Sequence, residues 1–292
     1  MKKITFIGLG HMGTAIVERL LQHDYEITVF NRTQAKAAPL IALGAKSSDS
    51  IAQAVEGADV VMTSLLNDEA VLFVTEKMIP YLTENTIHIG LSTILPTTAE
   101  TLLNLHQQGN SNYISAVVLG VAPVARRGEL TAFFAGKENY HDEVVALLST
   151  FSAHVTCLGG QHAIKSPNIM KICMNYSLAT ALELISELYI FAEKSGLDVD
   201  VLKNALHQIF GLPSFKLYID KIHARNFDEV NSSMVAGKKD ITVFQEAFSQ
   251  VGVSPELGNI LKSRFISALA QGMEDKDWSG VYEVIRKEAG LA

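Results

Sequence analysis

Short β-branched runs alternate with amphipathic stretches through the first half of the chain, and then they stop. The runs at 3–8, 26–31, 59–65 (DVVMTSL), 86–91 (TIHIGL), 113–118 (YISAVV), 131–136 and 154–158 read as strands. Between them, 13–23, 99–108 and 139–152 carry helical spacing. Strand, helix, strand in repetition predicts a parallel, doubly wound sheet. After Gly159-Gly160 the character changes. A long helix is predicted over 168–195, with Met170, Met174, Leu178, Leu182 and Ile185 on one stripe and Gly196 as its stop. Further helices are expected at 199–211, 214–225, 239–252, 255–272 and 278–289. The pattern therefore predicts an α/β domain over 1–162 and an all-helical domain over 163–292.

A length of 292 residues suits two domains. The balance of 24 basic against 31 acidic residues, a formal net charge of −7, leaves no electrostatic footprint for nucleic acid. No apolar run approaches the length of a membrane span, and the apolar run at 4–8 is too short for a signal peptide. The expectation is a cytoplasmic protein. Cys157 and Cys173 lack CxxC spacing and are read as reduced, small buried hydrophobes. His11, His162, His207 and His223 are scattered, with no histidine pair or carboxylate at ligand spacing, so no metal site is predicted.

The chemistry begins at GLGHMG. Gly8, Gly10 and Gly13 follow a predicted strand and open a predicted helix, the context in which this spacing binds a dinucleotide. The first glycine permits the tight turn and the second lets the backbone approach a pyrophosphate. The third lets helix and strand pack, with the helix N-terminus facing the phosphate charge. Leu9, His11 and Met12 complete this cofactor-binding turn. Asn31-Arg32-Thr33 closes the second strand with no acid to hold a ribose 2′-hydroxyl. Arg32 can instead pair with a 2′-phosphate and lie against adenine, with Thr33 and Lys36 nearby. NADP is expected over NAD.

With these residues the sequence resembles the β-hydroxyacid dehydrogenase family, typified by 3-hydroxyisobutyrate dehydrogenase, along essentially its whole length. GLGHMGTAIVERLL resembles the family fingerprint, and LSTILP (91–96) its D-x-S-T-x-x-P segment. SAVVLGVAPVARRGEL (115–130) aligns on D-A-P-V-S-G-G…A-x-x-G-x-L, and SPNIMKICMN (166–175) on the segment ending K-x-x-x-N. KKDITVFQEAFSQVGVSP (238–255) resembles K-D-L-x-L-A…G-x-x-x-P. The resemblance implies a Rossmann-like domain of the 6-phosphogluconate dehydrogenase type before the helical one. It makes Lys171 the catalytic lysine and Asn175 its companion. Their spacing of four on one helix puts both on one face, and a helix starting at the domain junction is expected to aim them into a cleft. The resemblance further places Leu65, Leu66, Thr93 and Lys239 at the cofactor, and Ser92, Leu119, Gly120, Val121 and Asp240 at the substrate side. It also implies a homodimer or larger homo-oligomer.

The sequence departs from the family at the turn that reads the substrate. The acid before S-T is Gly90, the serine of S-G-G is Leu119, its last glycine is Val121, and the proline of A-P-V is Val117. The expected activity is an NADPH-dependent hydride transfer to or from a small hydroxy or carbonyl acid, with Lys171 as acid–base. Leu119 leans toward the alternative of an imine reductase; Lys171 leans away from it. A non-catalytic NADP-binding protein is a third reading. Arg126 and Arg127 are read as a solvated helix face, and Lys165 and Lys194 as surface charges.

Overall fold

The computed structural model describes residues 1–291; residue 292, the last of the expected helical domain, lies outside the described residues. The chain divides into two compact units, Met1–Lys171 and the residues from Ile172 onward.

The first unit is built on one sheet of eight strands. They are β1 (Lys2–Ile7), β2 (Tyr25–Phe30), β3 (Lys46–Ser47), β4 (Val60–Thr63), β5 (Ile87–Gly90), β6 (Asn112–Leu119), β7 (Leu130–Gly136) and β8 (Ser152–Cys157). Its helices are α1 (His11–Leu20), α2 (Ala38–Ala42), α3 (Ile51–Val55), α4 (Asp68–Met78), α5 (Pro96–Gln108), α6 (Ala122–Arg127), α7 (His141–Leu148) and the start of α8 (Ser166–Lys194). The strands lie in the order β3-β2-β1-β4-β5-β6-β7-β8. Successive strand residues face opposite sides, so a strand buried on both faces must be apolar throughout. Ile4, Phe6, Val60 and Met62 pack into one core, while Ile7 and Val61 enter another with Val74 and Met78 of α4. The chain leaves β1 toward β2 and returns as β4 on its other side, making a switch point beyond the C-terminal ends of β1 and β4.

The sheet is mixed, a departure from the all-parallel pattern the sequence suggests. β6 and β7 pair antiparallel, from Ile114 opposite Gly136 to Leu119 opposite Thr131. Only residues 120–129 join them, holding the six-residue α6, and a parallel crossover needs more chain than that. α7 then restores a parallel β7–β8 pair. Both cysteines are exposed, correcting the expectation of buried thiols. Cys157 sits on β8, at the edge of the sheet beside β7, and Cys173 on α8.

The second unit holds the rest of α8 with α9 (Val199–Ile209), α10 (Pro213–Ala224), α11 (Met234–Gln250), α12 (Glu256–Ala270) and α13 (Val281–Glu288). Met234, Ile241, Phe244, Leu261, Phe265 and Trp278 are buried in it. On α8, Leu182 and Ile185 of the expected stripe are buried, but Met174 is exposed. α11 starts five residues earlier than the expected 239, because Ser233 caps it by accepting the Ala236 N–H at 3.2 Å. Lys239 and Asp240 therefore lie inside the helix. No helix among the described residues is long and apolar enough to cross a membrane.

Candidate active site

The turn after β1 is fixed by contacts that only glycine allows. Gly8 has φ +105°, and a Cβ there would stand 2.2 Å from the carbonyl oxygen of Ser64. A Cβ on Gly13 would stand 2.1 Å from the carbonyl oxygen of Gly8, so α1 can pack on the turn only through glycine. Gly10, the N-cap of α1, faces open space, and no acid occupies the helix's first turn. Leu9 is buried, whereas His11 is exposed and Met12 half-buried. The turn thus leaves backbone amides and the positive end of a helix dipole facing open space, which fits a dinucleotide pyrophosphate. Asn31 pins the turn: its Oδ1 accepts the Leu9 N–H at 3.0 Å, and its Nδ2 donates to the Thr33 carbonyl at 3.0 Å. Arg32, Thr33 and Lys36 are exposed beyond β2.

The ends of β4, β5 and β6 carry the next group. Leu65 is half-buried against the α4 side of the sheet, and Leu66 is exposed. Ser92 is buried, and its Oγ accepts the Leu65 N–H at 2.8 Å, tying the two strand ends together. Thr93 is half-buried. Beyond β6, Gly120 has φ +130° between the half-buried Leu119 and Val121. Lys171 on α8 donates from Nζ to the carbonyl oxygen of Val118 at 2.7 Å, so its amine stands at the start of that turn.

The remaining predicted residues belong to the second unit. Asp240 pairs with Lys239 at 2.8 Å and accepts from the Asn175 Nδ2 at 3.4 Å. Asn175 stands four residues beyond Lys171 on α8. Arg126 and Arg127 form surface pairs with Glu18 (2.5 Å) and Glu129 (2.7 Å), and Lys165 pairs with Glu100 (2.8 Å), in keeping with solvated charges.

A buried polar layer behind these strand ends was not anticipated from sequence. Asn168 of α8 accepts the Ile94 N–H at 3.2 Å and donates to the Ser115 Oγ at 3.1 Å. His88 of β5 bonds Thr63 Oγ1 through Nε2 and His106 Nε2 through Nδ1, both at 2.9 Å, and His106 Nδ1 reaches Ser111 Oγ at 2.8 Å. Every ring nitrogen has a partner, so both rings are satisfied as neutral imidazoles. Burial lowers the His88 pKa well below the usual range, with His106 adding to the effect, and burial brings His106 to about 4. The Tyr113 ring stacks on His106, with centroids 5.5 Å apart, and burial raises its phenol pKa. A Cβ on Gly90 would stand 2.8 Å from the Tyr113 hydroxyl, so the tyrosine fills the place where the family pattern has an acid. The spacing of two histidines eighteen residues apart, one on a strand and one on a helix, gives no sequence signal. Among the described residues no cluster of His, Cys, Asp or Glu could hold a metal.

The comparisons agree with this architecture. Residues 3–159 match the family described as the NAD binding domain of 6-phosphogluconate dehydrogenase. Residues 166–285 match the NAD-binding family of NADP-dependent 3-hydroxyisobutyrate dehydrogenase. The chain is 32% identical to the uncharacterized oxidoreductase YfjR of Bacillus subtilis, covering 97% of this chain and 100% of that one. It is 26% identical to the NAD-dependent L-serine dehydrogenase of Pseudomonas aeruginosa, covering 99% and 100%. A structure of Mycobacterium tuberculosis 3-hydroxyisobutyrate dehydrogenase with L-serine superposes with a TM-score of 0.85 at 23% identity, covering 98% of this chain and 99% of that chain. With two consecutive family matches covering nearly the whole sequence and a glycine turn shaped for a nicotinamide dinucleotide, the chain belongs to the β-hydroxyacid dehydrogenase family of oxidoreductases.

Proposed function

We propose that the protein is an NADPH-dependent dehydrogenase or reductase acting between a small hydroxy acid and its carbonyl acid, with Lys171 as the acid–base group. The observation that carries this reading is the seat of the Lys171 amine, 2.7 Å from the Val118 carbonyl at the entrance of the 119–121 turn. In this reading residues 1–162 bind the cofactor and 163–292 complete the substrate side and a homo-oligomer of a cytoplasmic enzyme. Gly8 to Gly13 and Asn31 would hold the dinucleotide backbone. Arg32 and Thr33 would take the 2′-phosphate, since the residue that follows β2 is Asn31 rather than an acid. Leu65, Leu66, Thr93 and Lys239 would border its remaining length. The bound dinucleotide supplies the hydride.

Lys171 then donates a proton to the substrate oxygen in reduction and accepts one in oxidation. Asn175 orients that oxygen or the amine, with Asp240 holding Asn175 and Lys239 together in the second unit. Ser92 and the Gly120 N–H hold the rest of the substrate beside Leu119 and Val121. Leu119 favours a second reading, reduction of an imine, because an apolar side chain gives a carboxylate nothing to bond.

The test is oxidation of NADPH, followed by its absorbance, with parallel panels of carbonyl acids and cyclic imines. The carbonyl-acid panel is expected to turn over, and Lys171→Ala is expected to lower kcat about 10³-fold with NADPH binding intact. Turnover of imines alone selects the second reading. Wild-type turnover by Lys171→Ala removes the lysine from the mechanism.

A further inference from the structure

We infer that Asn168 is a positioning residue for Lys171, an inference that rests on the acid–base reading of that lysine. Asn168 is 1% exposed and lies on the first turn of α8, three residues before Lys171. Its single amide group ties three segments together. Through Oδ1 it holds the N–H of Ile94, the residue that follows Ser92-Thr93. Through Nδ2 it holds the Ser115 hydroxyl on β6, three residues before the Val118 carbonyl that accepts the Lys171 amine. The amide cannot serve the same partners when flipped, because an NH2 would then face the Ile94 N–H. Its orientation, and with it the register of α8 against the two strand ends, is therefore set.

Two links between the same helix and the same strand follow from this arrangement. Asn168 to Ser115 fixes the helix, and Lys171 to Val118 uses the position so fixed. Ser115 is 0% exposed and Ile94 1% exposed, so neither has water to replace the amide. Without Asn168 the first turn of α8 has no polar tie to either strand end through this position. The amine would then meet the substrate from a displaced helix, and a displacement of an ångström is enough to cost catalysis dearly.

Asn168→Ala is expected to lower kcat about 10²-fold, with KM and the NADPH dissociation constant unchanged. Ser115→Ala, which keeps the Ile94 tie, is expected to lose kcat in the same sense by a smaller factor, and it decides the question if Asn168→Ala does not fold. The decisive measurement is the double variant with Lys171→Ala, read on its residual turnover. If Asn168 acts through the lysine, adding Asn168→Ala to Lys171→Ala costs nothing more. A further loss of about 10²-fold in the double variant, or a loss confined to KM or to cofactor binding, overturns the inference. Full turnover by Lys171→Ala alone refutes instead the acid–base reading beneath it.

Discussion

The turns after β1 and β6 both hinge on a glycine in the left-handed region, yet they are held by different materials. Gly8 presses on main chain, the Ser64 carbonyl, and Gly13 presses in turn on Gly8. Gly120 presses on side chains: a Cβ there would stand 2.6 Å from Leu130 Cδ2 and 3.4 Å from Val124 Cγ1. Backbone against backbone leaves no room to adjust, whereas the end of a leucine can rotate away. The first turn retains its family pattern, and the second has exchanged a serine and a glycine for Leu119 and Val121. The turn of the dinucleotide-binding domain is locked by main chain, and the turn proposed to meet the substrate is held only by side chains.

Paired alanine variants test this contrast most severely. Gly8→Ala is expected to destabilise the protein by about 3 kcal/mol or more in urea unfolding and to abolish NADPH binding. Gly120→Ala, strained in φ but free to displace a side chain, is expected to cost about 1–2 kcal/mol. Equal losses would erase the distinction.

A second measurement asks whether the two turns share a support. β5 lies between β4 and β6, and its His88 pairs with His106 of α5. Burial lowers the folded pKa of His106 from 6.5 to about 4, and that of His88 as well, so folding favours the neutral rings. Their contribution is fully present above pH 6.5 and is lost as the pH falls toward 4, a loss of about 3 kcal/mol for His106 alone. His106→Gln should flatten that part of the stability–pH curve. An unchanged slope would show that the pair is not the acid-sensitive element.

The smallest effect is expected from Leu119→Ser. A hydroxyl restored at the second turn should lower KM for a carboxylate substrate by about tenfold, near 1.4 kcal/mol, with NADPH affinity unchanged. An unaltered KM would detach this turn from substrate recognition.

Much of the fold was legible because it rests on local rules. Seven of the eight strands and the long α8 announce themselves through apolar runs and helical spacing, and the glycine turn through its place between strand and helix. β3, two residues long, and α2, α3 and α6, five or six residues long, are too short to set up a period. α4 did leave a signal, Asn67 as its cap with Asp68 and Glu69 in the first turn, though its apolar spacing is irregular. The reversal of β7 is invisible to hydrophobic pattern, since an apolar strand reads alike in either direction. The buried ties of Asn168, His88 and His106 were missed for a related reason. A polar residue in an apolar run reads as an exception until the fold reveals its partner.

The amine of Lys171 rests on main chain, and β6 continues past its pairing with β5, which ends at Ser115 opposite Gly90. A peptide oxygen is present whatever side chain is encoded at position 118, so mutation at 117, 119 or 121 does not remove this acceptor. If Lys171 handles the proton as proposed, natural variation can retune which molecules are accepted while that apparatus is inherited intact, and descendants of one ancestor can diverge in diet without reinventing their chemistry.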